Sequence, residues 1–199
     1  YIAIRHEITD LINKSEELEK TLKEDFLTKE GNRYKLLEDI NKSEKPFLAL
    51  LNINQFAQIN DFYGHEFGDE ILKILAKIIK MQVNDASVYR IYSDEFAILT
   101  NNKSKNEFIE KIKFICDEIS SYPIKIMNKE IYIQLRQGIS FENKEDLINT
   151  ADMVKRYSKK NKNVYVYDKN LEIEKIYEKN ILWTSKLKKA LENNRIVPY

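Results

Sequence analysis

Asp94 and Glu95 are adjacent carboxylates whose surroundings point to chemistry. Two short apolar runs, Ser87–Ile91 and Glu95–Leu99, flank Tyr92-Ser93-Asp94, so the pair is expected at the tip of a tight hairpin. Hard oxygen donors on a turn suit Mg²⁺, which binds nucleotide phosphates alongside one or two carboxylates. Taken alone, the pair fits a solvated turn better, because Asp and Glu are common there. The other reactive side chains read more plainly. His6 and His65 are not at ligand spacing, which argues against zinc. Cys116 falls on the core side of a helix and reads as inert. No Ser/His/Asp or Cys/His arrangement is present. Lys155-Arg156 and Lys159-Lys160 read as a solvated helix face. The Tyr and Phe residues are spread along the elements, as packing requires, and do not form a base-stacking platform.

The elements that must hold this hairpin follow from hydrophobic period. A helix is expected from about Glu7 to Phe26, with Ile8, Leu11, Ile12, Ser15, Leu18, Leu22 and Phe26 on one stripe. So narrow a seam needs a partner, and a two-helix coiled coil is the natural one. Before it, Tyr1–Arg5 reads as the last strand of an upstream domain. A second helix spans about Gly31–Asn41. Phe47–Ile53 is unbroken apolar and predicts a central strand covered on both faces. Helices are expected over about Gly64–Met81 and Lys105–Ser120. Ile124–Ile126 and Ile131–Leu135 read as strands around Asn128-Lys129. Gly138 marks a place where another backbone comes close. A helix over about Lys144–Lys160, a strand Val164–Tyr167 and a helix over about Glu172–Asn193 complete the chain. Helices alternating with strands give the class α/β, or α+β.

Composition narrows the function classes. The chain has 199 residues, 43% of them hydrophobic, enough for one ordinary domain with a real core. Lys+Arg number 33 against 32 Asp+Glu, a formal charge of +1, which lacks the basic excess of a nucleic-acid binder. A single cysteine allows no internal disulfide and reads as a reduced, cytoplasmic chain. No apolar run approaches the ~20 residues of a membrane span. The chain opens at Tyr1 without Met or a signal pattern and reads as a piece of something longer.

Several segments together resemble the GGDEF family of diguanylate cyclases, which condense two GTP into cyclic di-GMP. Asp25-Phe26-Leu27-Thr28 with Gly31-Asn32-Arg33 is similar to the family's opening signature. Asn60-Asp61 and Gly64-His65-x-x-Gly68-Asp69 match its ND-x-x-GH-x-x-GD run, and Tyr92-Ser93-Asp94-Glu95-Phe96 occupies the GGDEF position. Ala151-Asp152 with Lys159, Lys162 and Asn163 resembles its late basic element, one residue shorter. The resemblance implies a central, mostly antiparallel sheet flanked by helices, the ferredoxin-like palm of nucleotide cyclases, preceded by an N-terminal signalling helix. It implies three parts: 1–24, the end of a PAS-like sensor with that helix; 25–168, the GGDEF domain; and 169–199, a linker helix and the truncated start of an EAL phosphodiesterase domain. It also implies homodimerisation through the first helix, no nucleic-acid partner, no membrane in this fragment, and a parent chain compatible with membrane association.

The resemblance assigns roles by position. Asn60 and Asp69 take the guanine edge of GTP, and Lys159 the γ-phosphate. Asp94, Asn52 and the carbonyl of Ile53 take the metal positions, with Asp94 and Glu95 catalytic if the domain is active. The departures fall on the chemistry. Asn52 stands where the family has a strand-end Asp, so one negative charge is missing beside Mg²⁺ and the triphosphate. Asn54 and Ala57 replace a second Asp and a Lys. Tyr92 and Ser93 replace both glycines of the signature. The product-inhibition motif Arg-x-x-Asp is Val83-Asn84-Asp85-Ala86 here. Phosphoryl transfer depends on positioning and charge stabilisation, so the expectation is a degenerate, catalytically inactive domain with Mg²⁺ weak or absent. It would bind GTP or relay a signal to an attached EAL domain. The alternatives are an active cyclase with an unusual site and a purely structural connector.

Overall fold

The computed structural model describes residues 12–14, 18–101, 104–158 and 165–193. Residues 12–14 and 18–23 are helical (α1). There follow α2 (Arg33–Lys42), β1 (Phe47–Ile53), α3 (Phe56–Tyr63), α4 (His65–Gln82), β2 (Ser87–Tyr92) and β3 (Glu95–Thr100). Then come α5 (Lys105–Ser121), β4 (Ile124–Ile126), β5 (Lys129–Ile131), β6 (Leu135–Ser140), α6 (Leu147–Tyr157), a 3₁₀ turn (Lys169–Leu171) and α7 (Ile173–Glu192). The main sheet has the order β2-β3-β1-β6, with every neighbouring pair antiparallel; β4 and β5 form a separate hairpin. The fold is therefore the mixed α/β palm that the sequence implied.

β1 is central, as its apolar run required, and alternation divides its side chains between two cores. Ala49, Leu51 and Ile53 join Phe96 and Ile98 of β3 against Ile71, Leu75 and Ile79 of α4 and Ile112 and Ile115 of α5. Leu48 and Leu50 face the other way, with Ala97 and Leu99, against Leu36 and Ile40 of α2 and Leu147 and Ala151 of α6. Each fully buried Leu or Ile contributes roughly 1.5–3 kcal/mol relative to exposure.

Four expectations are corrected. The first helix stops at residue 23, because Asp25 turns the chain: Thr28 N–H and Oγ donate to Asp25 Oδ1 at 2.9 and 2.8 Å, which leaves Phe26 exposed in the turn. Asn32 then caps α2 from Lys35 N–H and donates to the carbonyls of Leu22 and Glu24. Second, α3 was not foreseen; it precedes α4 and is separated from it by Gly64, whose φ of 89° ends one helix and begins the next. Third, the run 131–135 does not continue as one strand: β5 ends at Ile131, and β6, which pairs with β1, starts at Leu135. Fourth, α6 begins at Leu147, not Lys144. Of the expected strand 164–167, Val166 makes an isolated parallel bridge to Ile139. The expected strand 1–5, His6, Leu11, Lys159 and Lys162 lie outside the described residues. Among the described residues no helix is long and apolar enough to cross a membrane.

Candidate functional site

The end of β1 and the β2–β3 hairpin meet at one edge of the sheet. Asn52 is flanked in register by Glu95 on β3 and Arg136 on β6, so these three side chains share a sheet face. Ile53 N–H donates to the Asp94 carbonyl at 3.2 Å, tying strand end to hairpin tip. The tip closes without a positive φ at Tyr92, Ser93 or Asp94. Tyr92 and Ser93 in place of both signature glycines therefore leave this turn unstrained. Arg90 clamps the tip: its Nε and Nη2 donate to the Ser93 carbonyl at 3.2 and 2.7 Å, and its Nη1 to Asp25 at 3.0 Å. Burial pushes the Asp25 carboxyl up, but the Thr28 bonds and Arg90 outweigh it and hold it below the usual carboxylate range. Tyr92 is exposed, with the Arg33 guanidinium 5.8 Å from its ring centroid. Asp94 is half-buried and accepts from Ser93 Oγ at 3.1 Å.

Glu95 is not a free carboxylate. It points the other way from the tip, under α6, and is 7% exposed. There Lys155 Nζ contacts Glu95 Oε1 and, at 2.8 Å, Asp152 Oδ1. Arg156 takes the other Asp152 oxygen at 2.8 Å. The sequence placed Lys155 with Arg156 on a solvated face; Arg156 is there, but Lys155 is 9% exposed and belongs to the interior. Burial and then Arg156 push the Lys155 ammonium down to about 8, and Asp94 opposes them. A signal existed: Leu147, Ala151 and Val154 mark the inward stripe of α6, and Lys155 follows Ala151 at helical spacing. Gly138 permits the contact. A Cβ there would overlap the Ala151 carbonyl and stand 2.6 Å from Lys155 Cβ, so α6 lies directly on β6.

The two residues assigned to guanine lie on consecutive helices. Asn60, on α3, rests its amide on Gly68 of α4, where any Cβ would overlap Asn60 Oδ1. That oxygen is buried and has no hydrogen-bond partner. Asp69, the next residue on α4, is exposed. The Asn60 oxygen is covered by Gly68, and the open Asp69 carboxylate can accept from N–H donors such as those of a guanine edge.

The remaining donors at the strand end are neutral or cationic. Among the described residues no three His, Cys, Asp or Glu converge as a metal cluster. Asn52 and Asn54 supply amides. Arg136 Nε and Gln137 Oε1 are buried without hydrogen-bond partners, beside a cleft of about 340 Å³ that also involves Asn54, Gln134, Ser158 and the exposed Asp117. Nothing in the sequence reading singled out Arg136. Cys116 also borders this cleft, but burial, with Asp117 adding, pushes its thiol up to about 12, so it is inert as expected.

Over most of its length the chain is similar to known proteins. The family model described as diguanylate cyclase, GGDEF domain, matches residues 8–164. A probable diguanylate cyclase, DgcI of Escherichia coli K12, is 32% identical over 141 residues, which cover 69% of this chain and 31% of the relative. A diguanylate cyclase of Vibrio cholerae is 28% identical over 141 residues, covering 66% of this chain and 44% of the relative. The chain thus spans less than half the length of these two relatives. The coiled coil and GGDEF domain of DgcB from Caulobacter crescentus, crystallised with c-di-GMP, superposes with a TM-score of 0.75 at 20% identity, over 83% of this chain and 95% of that one. The chain belongs to the GGDEF family of diguanylate cyclase domains.

Proposed function

We propose that this domain binds GTP without condensing it and serves as a relay within a larger cyclic di-GMP signalling protein. One observation carries the reading: the signature glutamate, Glu95, is buried under α6 and held by Lys155. With Asn52 in place of the strand-end acid, Asp94 is left as the one carboxylate of the signature not in an ion pair. Mg²⁺ at a phosphate needs one or two carboxylates and near-octahedral oxygen donors, and an amide brings no charge. The donor set fits a divalent pair poorly. Asn60 and Asp69 still support guanine recognition, with the Asn60 oxygen unpaired and Gly68 keeping it in place. The attached domains belong to the same proposal. The segment from Ile176 to Tyr199 resembles the lead-in of an EAL domain, and a nucleotide-dependent relay requires different affinity for two states of the flanking helices.

Purified protein incubated with GTP and Mg²⁺ or Mn²⁺ is expected to give no cyclic di-GMP by chromatography; robust turnover removes the proposal. Calorimetry with GTP should give heat that disappears in Asn60→Ala/Asp69→Ala. A second reading, a structural connector, rests on Leu18 and Leu22 of α1, which are 65% and 64% exposed. It expects a dimer by light scattering that becomes a monomer in Leu18→Glu/Leu22→Glu.

A further inference from the structure

We propose that the phosphates of the bound nucleotide are held by the Arg136 guanidinium in place of divalent cations, so that binding does not require metal. This rests on the GTP reading above.

Three observations converge. Arg136 stands beside Asn52 in register on the sheet face that carries Glu95, one strand from the position where a metal-dependent site needs its acid. Its Nε is buried with no hydrogen-bond partner, and among the described residues it makes no ion pair. The six residues 159–164 contain no Asp or Glu that could supply one. A buried charged donor left without an acceptor is costly, so the Arg136 Nε calls for an acceptor, and a phosphate oxygen fits its charge. Second, two described cations on α6 are already used: Lys155 is neutralised by Glu95 and Asp152, and Arg156 pairs with Asp152. Third, the cleft bounded by Arg136 also presents Asn54 and Gln134, neutral amides whose N–H groups suit phosphate oxygens. Asp117, the one acid of that cleft, sits exposed on its α5 side.

The charges then work against metal and for phosphate. A divalent cation at Asn52 meets a single free carboxylate, Asp94, and is repelled by Arg136. A triphosphate meets a fixed, planar cation that makes two parallel N–H···O bonds without a bridging ion.

The test is calorimetry on the full chain with GTP and with guanosine, each in Mg²⁺ and in EDTA. The expected result is GTP affinity within about threefold in the two buffers. Arg136→Ala should weaken GTP by roughly 10–100-fold, the range for hydrogen bonds to charged groups, and leave guanosine unchanged. Arg136→Gln, which retains the stem and hydrogen bonding, serves if the Ala variant fails to fold, and should weaken GTP similarly. GTP binding that appears only with Mg²⁺ overturns this inference and leaves the GTP reading standing. Metal-free binding that is unchanged in both variants overturns the assignment to Arg136. Absence of GTP binding in either buffer overturns both.

Discussion

The α3–α4 corner and the hairpin end of the sheet carry the same family signature but have been treated oppositely. At the corner, Asn60, Gly64, Gly68 and Asp69 match the family's run by residue type, and the Asn60 amide is seated on Gly68. At the hairpin, Asn52 is neutral, Glu95 is locked to Lys155, and the Arg136 Nε has no hydrogen-bond partner. Base recognition needs a few hydrogen bonds in place, whereas phosphoryl transfer needs several charges aligned at once. The second requirement can fail while the first and the fold remain.

The largest effect is expected where the hairpin has been rebuilt. Lys155→Met leaves Glu95 charged and buried without a partner, and should cost about 3–5 kcal/mol in urea denaturation. The double variant Lys155→Met/Glu95→Met removes both charges and is expected near or above wild-type stability. If the single variant is as stable as wild type, the pair is not buried as described, and the contrast between the two regions loses its basis. Gly138→Ala comes next. Its Cβ would strike backbone and Lys155, so α6 must lift, at about 1–3 kcal/mol by the same measurement.

These two positions also show what the sequence could carry. β1 was legible because it is apolar on both faces, and α4 because its apolar residues recur at the helical period. α3 was not, since Phe56 is its one fully buried residue and it opens from Gln55 at a φ of 58°, with no capping side chain. β6 reads Leu-Arg-Gln-Gly-Ile-Ser: Arg136 and Gln137 border a cleft and Gly138 lies against a helix, which erases the alternation a strand would show. Asp94 and Glu95 looked like one site because they are adjacent. Strand alternation separates them, sending Glu95 beneath a helix whose lysine is 60 residues away, a pairing no local pattern encodes.

The corner is probed by Gly68→Ala. Here the clash is with the end of a flexible side chain, so Asn60 can swing away and stability should change little. Guanine recognition should suffer instead, with GTP affinity falling about 3–10-fold for one lost hydrogen bond. An unchanged affinity would separate Asn60 from base recognition and make both regions equally altered.

The smallest effect concerns the clamp that ties the hairpin tip to the turn at Asp25. Asp25 holds Thr28 and, through Arg90, the carbonyl of Ser93 at the hairpin tip. Its carboxyl titrates below the usual range in the folded chain, so the folded state binds that proton less readily than the unfolded one. The stability it contributes is therefore present above the unfolded value near 4 and is lost as pH falls through the folded one. Comparing wild type with Asp25→Asn between pH 7 and pH 3, the difference should shrink toward acid by less than about 1 kcal/mol, since the pair is partly solvated. A difference that grows toward acid would reverse the sign of this linkage, and with it the claim that Arg90 acts on the tip through a charged Asp25.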